Sequence, residues 1–217
     1  MANDERMEQA LDEALRESFP ASDPVAINIA APVRLAGGAV APLICTIGHS
    51  NRPLETFLDL LLQNGITRVL DVRTVPRSRH NPQFGQELLP ASLRQAGIAY
   101  THIPALGGLR RARPDSPNMG WRNASFRGYA DYMQSTAFQD EVARLAAAAR
   151  QENCVLMCAE AVPWRCHRSL VADALLLRGV RVEHIIGPGA RKKHALTPFA
   201  HVADGSITYP ASQAPES

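Results

Sequence analysis

The densest group of reactive side chains lies in the stretch CAEAVPWRCHR, which runs from Cys158 to Arg168. The thiol of Cys158 is followed two residues later by the carboxylate of Glu160, and Cys166, His167 and Arg168 are consecutive. Neighbouring His and Arg side chains, and the amides at a helix N-terminus, lower the pKa of a thiol. The stretch therefore predicts a reactive site in which Cys158 is a nucleophile or polariser and Glu160 or His167 moves protons.

Two other kinds of chemistry remain open for the same cysteines. Cys158 and Cys166 could bind a metal together with His167 and His49, although the C-x7-C spacing is not that of a zinc knuckle. The two thiols could also form a reversible disulfide. Arg165 gives the spacing C-x6-R, one residue longer than the C-x5-R of loops that hold an anion over a thiolate.

A structural interpretation also applies to the cysteines. Cys166 shares a helical stripe with Leu170 and further apolar residues, so it could simply be a core residue. Cys45 and Cys154 lie inside apolar segments and are expected to belong to the core.

Polar motifs also follow the other predicted strands. His49 comes directly after the first strand, where it could act as a general acid or base. Because the carboxyl ends of parallel strands share one edge of a sheet, these motifs are expected to meet there. The predicted ligand-binding residues are Arg52, Asp71, Arg73, Ser78, Gly107, Gly108, Cys166 and Arg168. An Asp71–Arg73 network that merely secures its loop is the structural alternative.

The elements that must position these residues alternate along the chain. Five apolar segments, at 43–48, 67–73, 98–104, 154–160 and 181–186, are typical of buried strands. Four segments have helical patterns. The first begins at Pro53, the second is short and ends near Gly97, and the other two cover 126–150 and 164–179. This alternation predicts an α/β fold: a single three-layer domain with a mostly parallel sheet of about five strands and helices on both faces. The Gly- and Arg-containing stretch before residue 126 is expected to be a lid over a site or a disordered excursion.

Length and composition set limits on function. The 217 residues are 46% hydrophobic and 20% charged, which excludes a fully disordered chain, a collagen and a coiled coil. No apolar run is long enough for a membrane span, and the N-terminus does not have the pattern of a secretory signal. Four cysteines do not make a disulfide scaffold, so we expect a cytoplasmic protein without a membrane partner.

Charge divides the chain. Residues 1–24 carry a net charge of −5 within a total of +2, so the remainder carries +7. We expect 1–41 to be an acidic helix and an Ala/Pro/Gly linker, 42–209 to be the α/β domain, and 210–217 to be a disordered tail. The N-terminal segment is expected to bind another protein. Ten arginines between residues 68 and 127 suit an anionic ligand, or nucleic acid if they form one exposed patch.

The same motifs carry a resemblance. TIGHSNRPLETFLDLL, DVRTVPRSRHNPQF, IPALGG, FRGYADYM, CAEAVPWRCHRSLVADAL and HALTPFAHVADGSITYP resemble, in order and spacing, the domain of unknown function 488 family over residues 42–210. The resemblance implies that the signature positions are His49, Ser50, Arg52, Asp71, Arg73, Pro76, Ser78, Phe84, Gly107, Gly108, Tyr129, Cys158, Glu160, Cys166, His167 and Arg168. It does not imply an activity, and the cofactor is unknown. LDEALRESFPASDPVA resembles a short segment of small bacterial proteins of unknown role.

Three functions therefore remain at this stage. The first is an enzyme, or a binding protein, for a small anionic or nucleotide-like ligand at the carboxyl edge of the sheet. The second is a non-catalytic module that binds nucleic acid or a phosphorylated ligand. The third is a redox or metal sensor built on Cys158 and Cys166. Convergence of His49, Arg73, Glu160 and His167 would favour the first.

Overall fold

The computed structural model describes residues 41–77 and 80–211. The N-terminal helix and linker expected over 1–41 lie almost entirely outside the described residues, as do Ser78 and most of the expected C-terminal tail. No helix in the described part of the chain is long and apolar enough to cross a membrane.

A six-stranded sheet forms the centre of the fold, with strand order β3-β2-β4-β1-β5-β6. Strands β1 to β5 are parallel, and β6 is an antiparallel edge strand. The strands are β1 (Leu43–Gly48), β2 (Arg68–Asp71), β3 (Ala99–His102), β4 (Cys154–Cys158), β5 (Arg181–Gly187) and β6 (Ala190–Lys193). A separate hairpin joins β7 (His201–Ala203) and β8 (Ser206–Thr208). The predicted α/β fold is confirmed, with one more strand in the sheet than expected.

Helices cover both faces of the sheet. They are α1 (Leu54–Gln63), α2 (Leu89–Gln95), α3 (Ala124–Tyr132), α4 (Thr136–Ala148) and α5 (Arg168–Leu177). Phe57 of α1 and Leu93 of α2 pack in one apolar cluster, together with Cys45 of β1. Tyr129 of α3 and Leu170 of α5 pack in the cluster on the opposite face. Parallel strands buried on both faces account for the continuous apolar segments of the sequence.

Side-chain caps divide the helical region predicted over 126–150 into two helices. The side-chain oxygen of Asn123 accepts a hydrogen bond from the Ser125 amide (2.8 Å) at the start of α3. The hydroxyl of Ser135 does the same for Phe138 (3.3 Å) at the start of α4. Each cap satisfies an amide that has no partner within its own helix, so a new helix begins at each of them.

The connection between Gly107 and Asn123 is fastened to α3. The carboxylate of Asp131 accepts hydrogen bonds from the Arg113 amide (2.8 Å), the Ser116 hydroxyl (2.5 Å) and the Asn118 side-chain amide (2.8 Å). The Asn118 oxygen in turn accepts from the amide of Tyr209 (2.9 Å). The connection is therefore a built part of the domain, and it closes one end of the core.

Candidate functional site

The register of the sheet brings the sequence motifs together at one edge. Gly48, the last residue of β1, pairs with Cys158, the last residue of β4. Asp71, the last residue of β2, pairs with Met157 on one side and with His102 on the other. The polar residues that follow β1, β2 and β4 are thus neighbours across adjacent strands, as the sequence predicts for this edge.

Two cysteines are in direct contact at this edge. The Sγ atoms of Cys158 and Cys166 lie 2.8 Å apart, and both side chains are buried. Cys158 ends β4, whereas Cys166 is in an extended conformation between the 3₁₀ turn Pro163–Arg165 and helix α5. Cys166 therefore lies just before the helix and not on its apolar stripe, because the 3₁₀ turn delays the start of α5 until Arg168. It is buried, as a core residue would be, but its nearest polar partner is a second thiol.

Hydrogen bonding determines which nitrogen of the His167 ring faces the cysteine pair. Its Nε2 lies 3.2 Å from the carbonyl oxygen of Val72 and donates to it, because a carbonyl only accepts. Its Nδ1 is consequently directed at Cys166 Sγ, at 3.6 Å. A Cβ on Gly108 would lie 2.6 Å from that nitrogen, so this ring position requires a glycine at 108. His167 is thus held where it can take the thiol proton of Cys166.

Arg168 is the largest fully buried side chain among the described residues, with 1% exposure. Its guanidinium donates to Thr46 Oγ1 (3.2 Å) and to the backbone oxygen of Glu160 (2.6 Å). Within the described residues its Nε has no hydrogen-bond partner. Its own backbone amide, in the first turn of α5, donates to Cys166 Sγ at 3.5 Å. One residue therefore brings both a helix-end amide and a buried positive charge to the thiols.

The two thiols have opposite electrostatic environments. Burial raises the pKa of the Cys158 thiol well above its ordinary value, and its hydrogen bond with Cys166 raises it further. Burial also disfavours the charged form of Cys166, but the hydrogen bond from Cys158 and the charges of His167 and Arg168 outweigh burial. The pKa of Cys166 is lowered well below its ordinary value as a result. Because the Arg168 amide and Nδ1 of His167 both lie at Cys166 Sγ, the geometry favours Cys158 as the hydrogen-bond donor and Cys166 as the acceptor.

The Asp71–Arg73 pair forms a closed network beside the cysteines. Arg73 binds the Asp71 carboxylate through Nε (2.9 Å) and Nη2 (2.5 Å), and Nη2 also donates to the Phe84 carbonyl (2.8 Å). The hydroxyl of Tyr100 donates to the same carboxylate (2.8 Å). All these groups lie in or against the protein interior, so this geometry favours a role for Arg73 in securing the loop after β2.

His49 completes this network as a neutral ring. Its Nδ1 donates to the Ser50 carbonyl (2.8 Å), so its Nε2 is bare and accepts from Nη1 of Arg73 (3.1 Å). Its ring stacks on Phe84, with centroids 4.4 Å apart. Burial is the main reason that the pKa of His49 falls from 6.5 to about 4. The predicted acid or base is therefore held in its neutral form, with both nitrogens occupied.

The remaining sequence-predicted residues lie around this pair of networks. Arg52 donates to the carbonyl of Gly48 and, at 3.2 Å, to that of Ile186, so it ties the loop after β1 to β5. Glu160 contributes its backbone oxygen to Arg168, and that oxygen also lies 3.8 Å from Cys158 Sγ. Gly107 packs against Thr74, where a side chain would overlap it.

Several of the arginines between residues 68 and 127 that the structure describes make contacts within the domain. Arg73 is buried, and Arg68 pairs with Glu152 (2.8 Å). Arg110 lies 3.7 Å above the ring of Tyr132, and Arg113 pairs with Asp115 (2.6 Å). Burial and pairing of these four arginines reduce the positive charge that is available to a nucleic-acid surface.

Thr46 and the carbonyl of Val72 are site components that the sequence interpretation missed. Thr46 is a polar residue in the otherwise apolar strand LICTIG, and it is completely buried. Buried hydroxyls need partners, so an isolated threonine in such a strand is a signal that could have been used. A backbone carbonyl leaves no signal in the sequence.

The comparisons with known proteins give a family. The family model described as "Domain of unknown function DUF488" matches residues 53–175, which is more than half of the chain. The chain belongs to this family. The match confirms the resemblance over a narrower range than 42–210, and it includes the cysteine pair, His167 and Arg168. No curated protein and no solved structure matches the chain.

Family membership provides no reaction, because the family is defined as one of unknown function. Among residues 41–77 and 80–211, no group of three or more His, Cys, Asp or Glu side chains is arranged to hold a metal ion.

Proposed function

We propose that this protein is a thiol-dependent enzyme that acts on a small anionic substrate at the carboxyl edge of the sheet. The observation that carries the proposal is the 2.8 Å contact between Cys158 and Cys166, in which Cys166 also receives the amide of Arg168 and faces His167. A low-pKa thiolate beside a base is the usual arrangement of a cysteine nucleophile.

Each residue has a separate role in this proposal. Cys166 transfers its proton to Nδ1 of His167, and the resulting imidazolium donates back to the thiolate while Nε2 remains bonded to Val72. Cys158 keeps its proton and donates it as a hydrogen bond, as a polariser would. The positive charges of Arg168 and of the His167 imidazolium favour an anionic group next to Cys166.

Alkylation with iodoacetamide tests the nucleophile. We expect Cys166 to react first, with a pH midpoint well below the 9.0 of an ordinary thiol. Cys166→Ser should abolish the fast reaction, and Cys158→Ala should raise its midpoint because the hydrogen-bond donor is lost. Cys154→Ser is the matched control, since Cys154 is a buried thiol on the same face of β4 and its loss should change nothing. Inertness of both Cys158 and Cys166 until the protein unfolds would refute the nucleophile.

Protection experiments test the substrate class. Inorganic phosphate or AMP should slow the alkylation of Cys166, whereas adenosine, which lacks the phosphate, should not. Equal protection by AMP and adenosine would show that charge is not what the site recognises. Native mass spectrometry of the untreated protein would in addition reveal an adduct or ligand that depends on Cys166.

A further inference from the structure

A chain of buried polar side chains leads from Arg168 to the opposite face of helix α5. Thr46 Oγ1 lies 2.8 Å from Nδ1 of His184, and Nε2 of His184 lies 3.1 Å from Nδ1 of His194. Nε2 of His194 lies 2.8 Å from the carboxylate of Asp173. All four side chains are buried, and only Thr46 is also a component of the cysteine site.

The carboxylate at the end of this chain determines the direction of every hydrogen bond in it. Asp173 accepts from the Thr197 amide (3.1 Å), the Thr197 hydroxyl (2.7 Å) and the Tyr209 hydroxyl (2.8 Å), so it is held as an acceptor. His194 must therefore carry its proton on Nε2 in order to donate to Asp173. In a neutral ring this leaves Nδ1 bare and able only to accept.

The directions of the remaining hydrogen bonds, as far as Arg168, follow from the tautomer of His194. Since Nδ1 of His194 accepts, Nε2 of His184 must donate, and Nδ1 of His184 is bare. The hydroxyl proton of Thr46 then points at His184, and its lone pairs remain for Nη1 of Arg168. The orientation of one hydroxyl beside the guanidinium is thus determined by a carboxylate three hydrogen bonds away.

We propose that His184, His194 and Asp173 form a positioning relay that holds Thr46 as an acceptor and thereby keeps the Arg168 guanidinium against the cysteine pair. The part of this inference that concerns thiol reactivity rests on the proposed function. The three relay residues touch neither thiol, so they act through Thr46 and Arg168 and are not catalytic residues.

Electrostatics around the relay support a neutral His184. Burial is the main reason that the pKa of His184 falls to about 3, and the positive charges of Arg168 and Lys192 lower it further. Lys192 pairs with His184 across β5 and β6, so a positive charge lies on that side of the ring as well. Asp173 provides the negative charge on the far side of His194. A neutral His184 is what the direction of the hydrogen bonds requires.

A matched pair of variants at His184 tests the relay through the cysteines. His184→Asn keeps an acceptor for Thr46 in the place of Nδ1, whereas His184→Leu removes it. We expect the midpoint of Cys166 alkylation to rise by about half to one pH unit in His184→Leu and to remain near the wild-type value in His184→Asn. His201→Ala removes an exposed histidine of β7 and is the control that should leave the midpoint unchanged.

The outcomes separate this inference from the proposed function. A wild-type midpoint near 9.0 would overturn the proposed function whatever the variants do. A low wild-type midpoint with no difference between His184→Leu and His184→Asn would overturn the relay alone.

A measurement on the unmodified protein covers the case in which His184→Leu does not fold. Long-range proton–nitrogen NMR spectra report which ring nitrogen of a histidine carries the proton. At neutral pH we expect His184 and His194 both to be protonated on Nε2 and bare on Nδ1. A proton on Nδ1 of either neutral ring would reverse a hydrogen bond of the chain and overturn the inference.

Discussion

Acidification should cost stability through His49. The ring is neutral in the folded protein, with a pKa of about 4, whereas in the unfolded chain its pKa returns to about 6.5. Between these values the unfolded chain binds a proton that the folded protein does not. The stability that neutral His49 provides is therefore fully present above pH 6.5 and is lost as the pH falls towards 4.

The structure gives the size of this loss. Each pH unit in the window costs about 1.4 kcal/mol for one proton, so a fall of two units costs about 2 to 3 kcal/mol. The physical cause is that a protonated Nε2 would place a donor against Nη1 of Arg73, in a buried position between Phe84 and the Asp71–Arg73 pair. Only 2% of the side chain is exposed, so solvent screening removes little of this effect.

Urea unfolding of wild type and His49→Gln at about pH 7 and at about pH 4.5 measures this loss. Glutamine can still accept from Arg73 but does not titrate, so the variant should be less stable at neutral pH and lose less on acidification. The gap between the two proteins should narrow by about 2 to 3 kcal/mol. His184 and the carboxylates change the free energy of unfolding with pH equally in both proteins, so their effects cancel in the difference between wild type and variant. A gap that stays constant would show that His49 is protonated in the folded state or is not buried as described.

Two further predictions concern the loop before α3 and the cysteine pair. Asp131→Ala should destabilise the protein by about 2 to 4 kcal/mol and open residues 107–123 to trypsin, because three hydrogen bonds to a buried carboxylate are lost. Asp115→Ala, at the exposed partner of Arg113, should do neither, and equal trypsin sensitivity of the two variants would contradict the anchor. With hydrogen peroxide as oxidant, the Cys166 thiolate should attack one oxygen and release hydroxide, and Cys158 should then displace water from the resulting sulfenic acid to form a disulfide. We expect wild type and Cys154→Ser each to lose two free thiols, and Cys158→Ala not to lose two. Retention of all four thiols in wild type would exclude this redox role.

The sequence predicted the layout of the sheet because its information is local. Buried strands such as CVLMC and amphipathic segments such as LETFLDLLLQ carry their own periodicity, so five strands and their covering helices could be predicted. Strand β6 (ARKK) and the hairpin β7–β8 are short and polar, and they lack that periodicity. Their pairing depends on contacts with the rest of the fold, which a pattern in the segment does not contain.

The sequence could indicate which motifs lie at the candidate site, but not the hydrogen bonds that join their side chains. The motifs that follow consecutive strands could be assigned to one edge, and the structure confirms that they are neighbours there. The relay could not be predicted, because Thr46, Asp173, His184 and His194 lie on different elements and no spacing relates them. The sequence also predicted one helix over 164–179, whereas the structure has a 3₁₀ turn at Pro163–Arg165 that places Cys166 beside Cys158.

The two buried arginines show which charge can act on the thiols. Arg73 is in direct contact with the Asp71 carboxylate, so the two charges cancel at short range and little field remains outside the pair. The hydrogen bonds of Arg168 go to an uncharged hydroxyl and an uncharged carbonyl, and the carboxylate linked to it lies at the far end of the relay. Burial by itself lowers the pKa of the Arg168 guanidinium, but its interactions with the two cysteines outweigh burial and raise it. The positive charge of Arg168 favours an anionic neighbour, so the thiolate that we propose at Cys166 would offset the cost of burying Arg168.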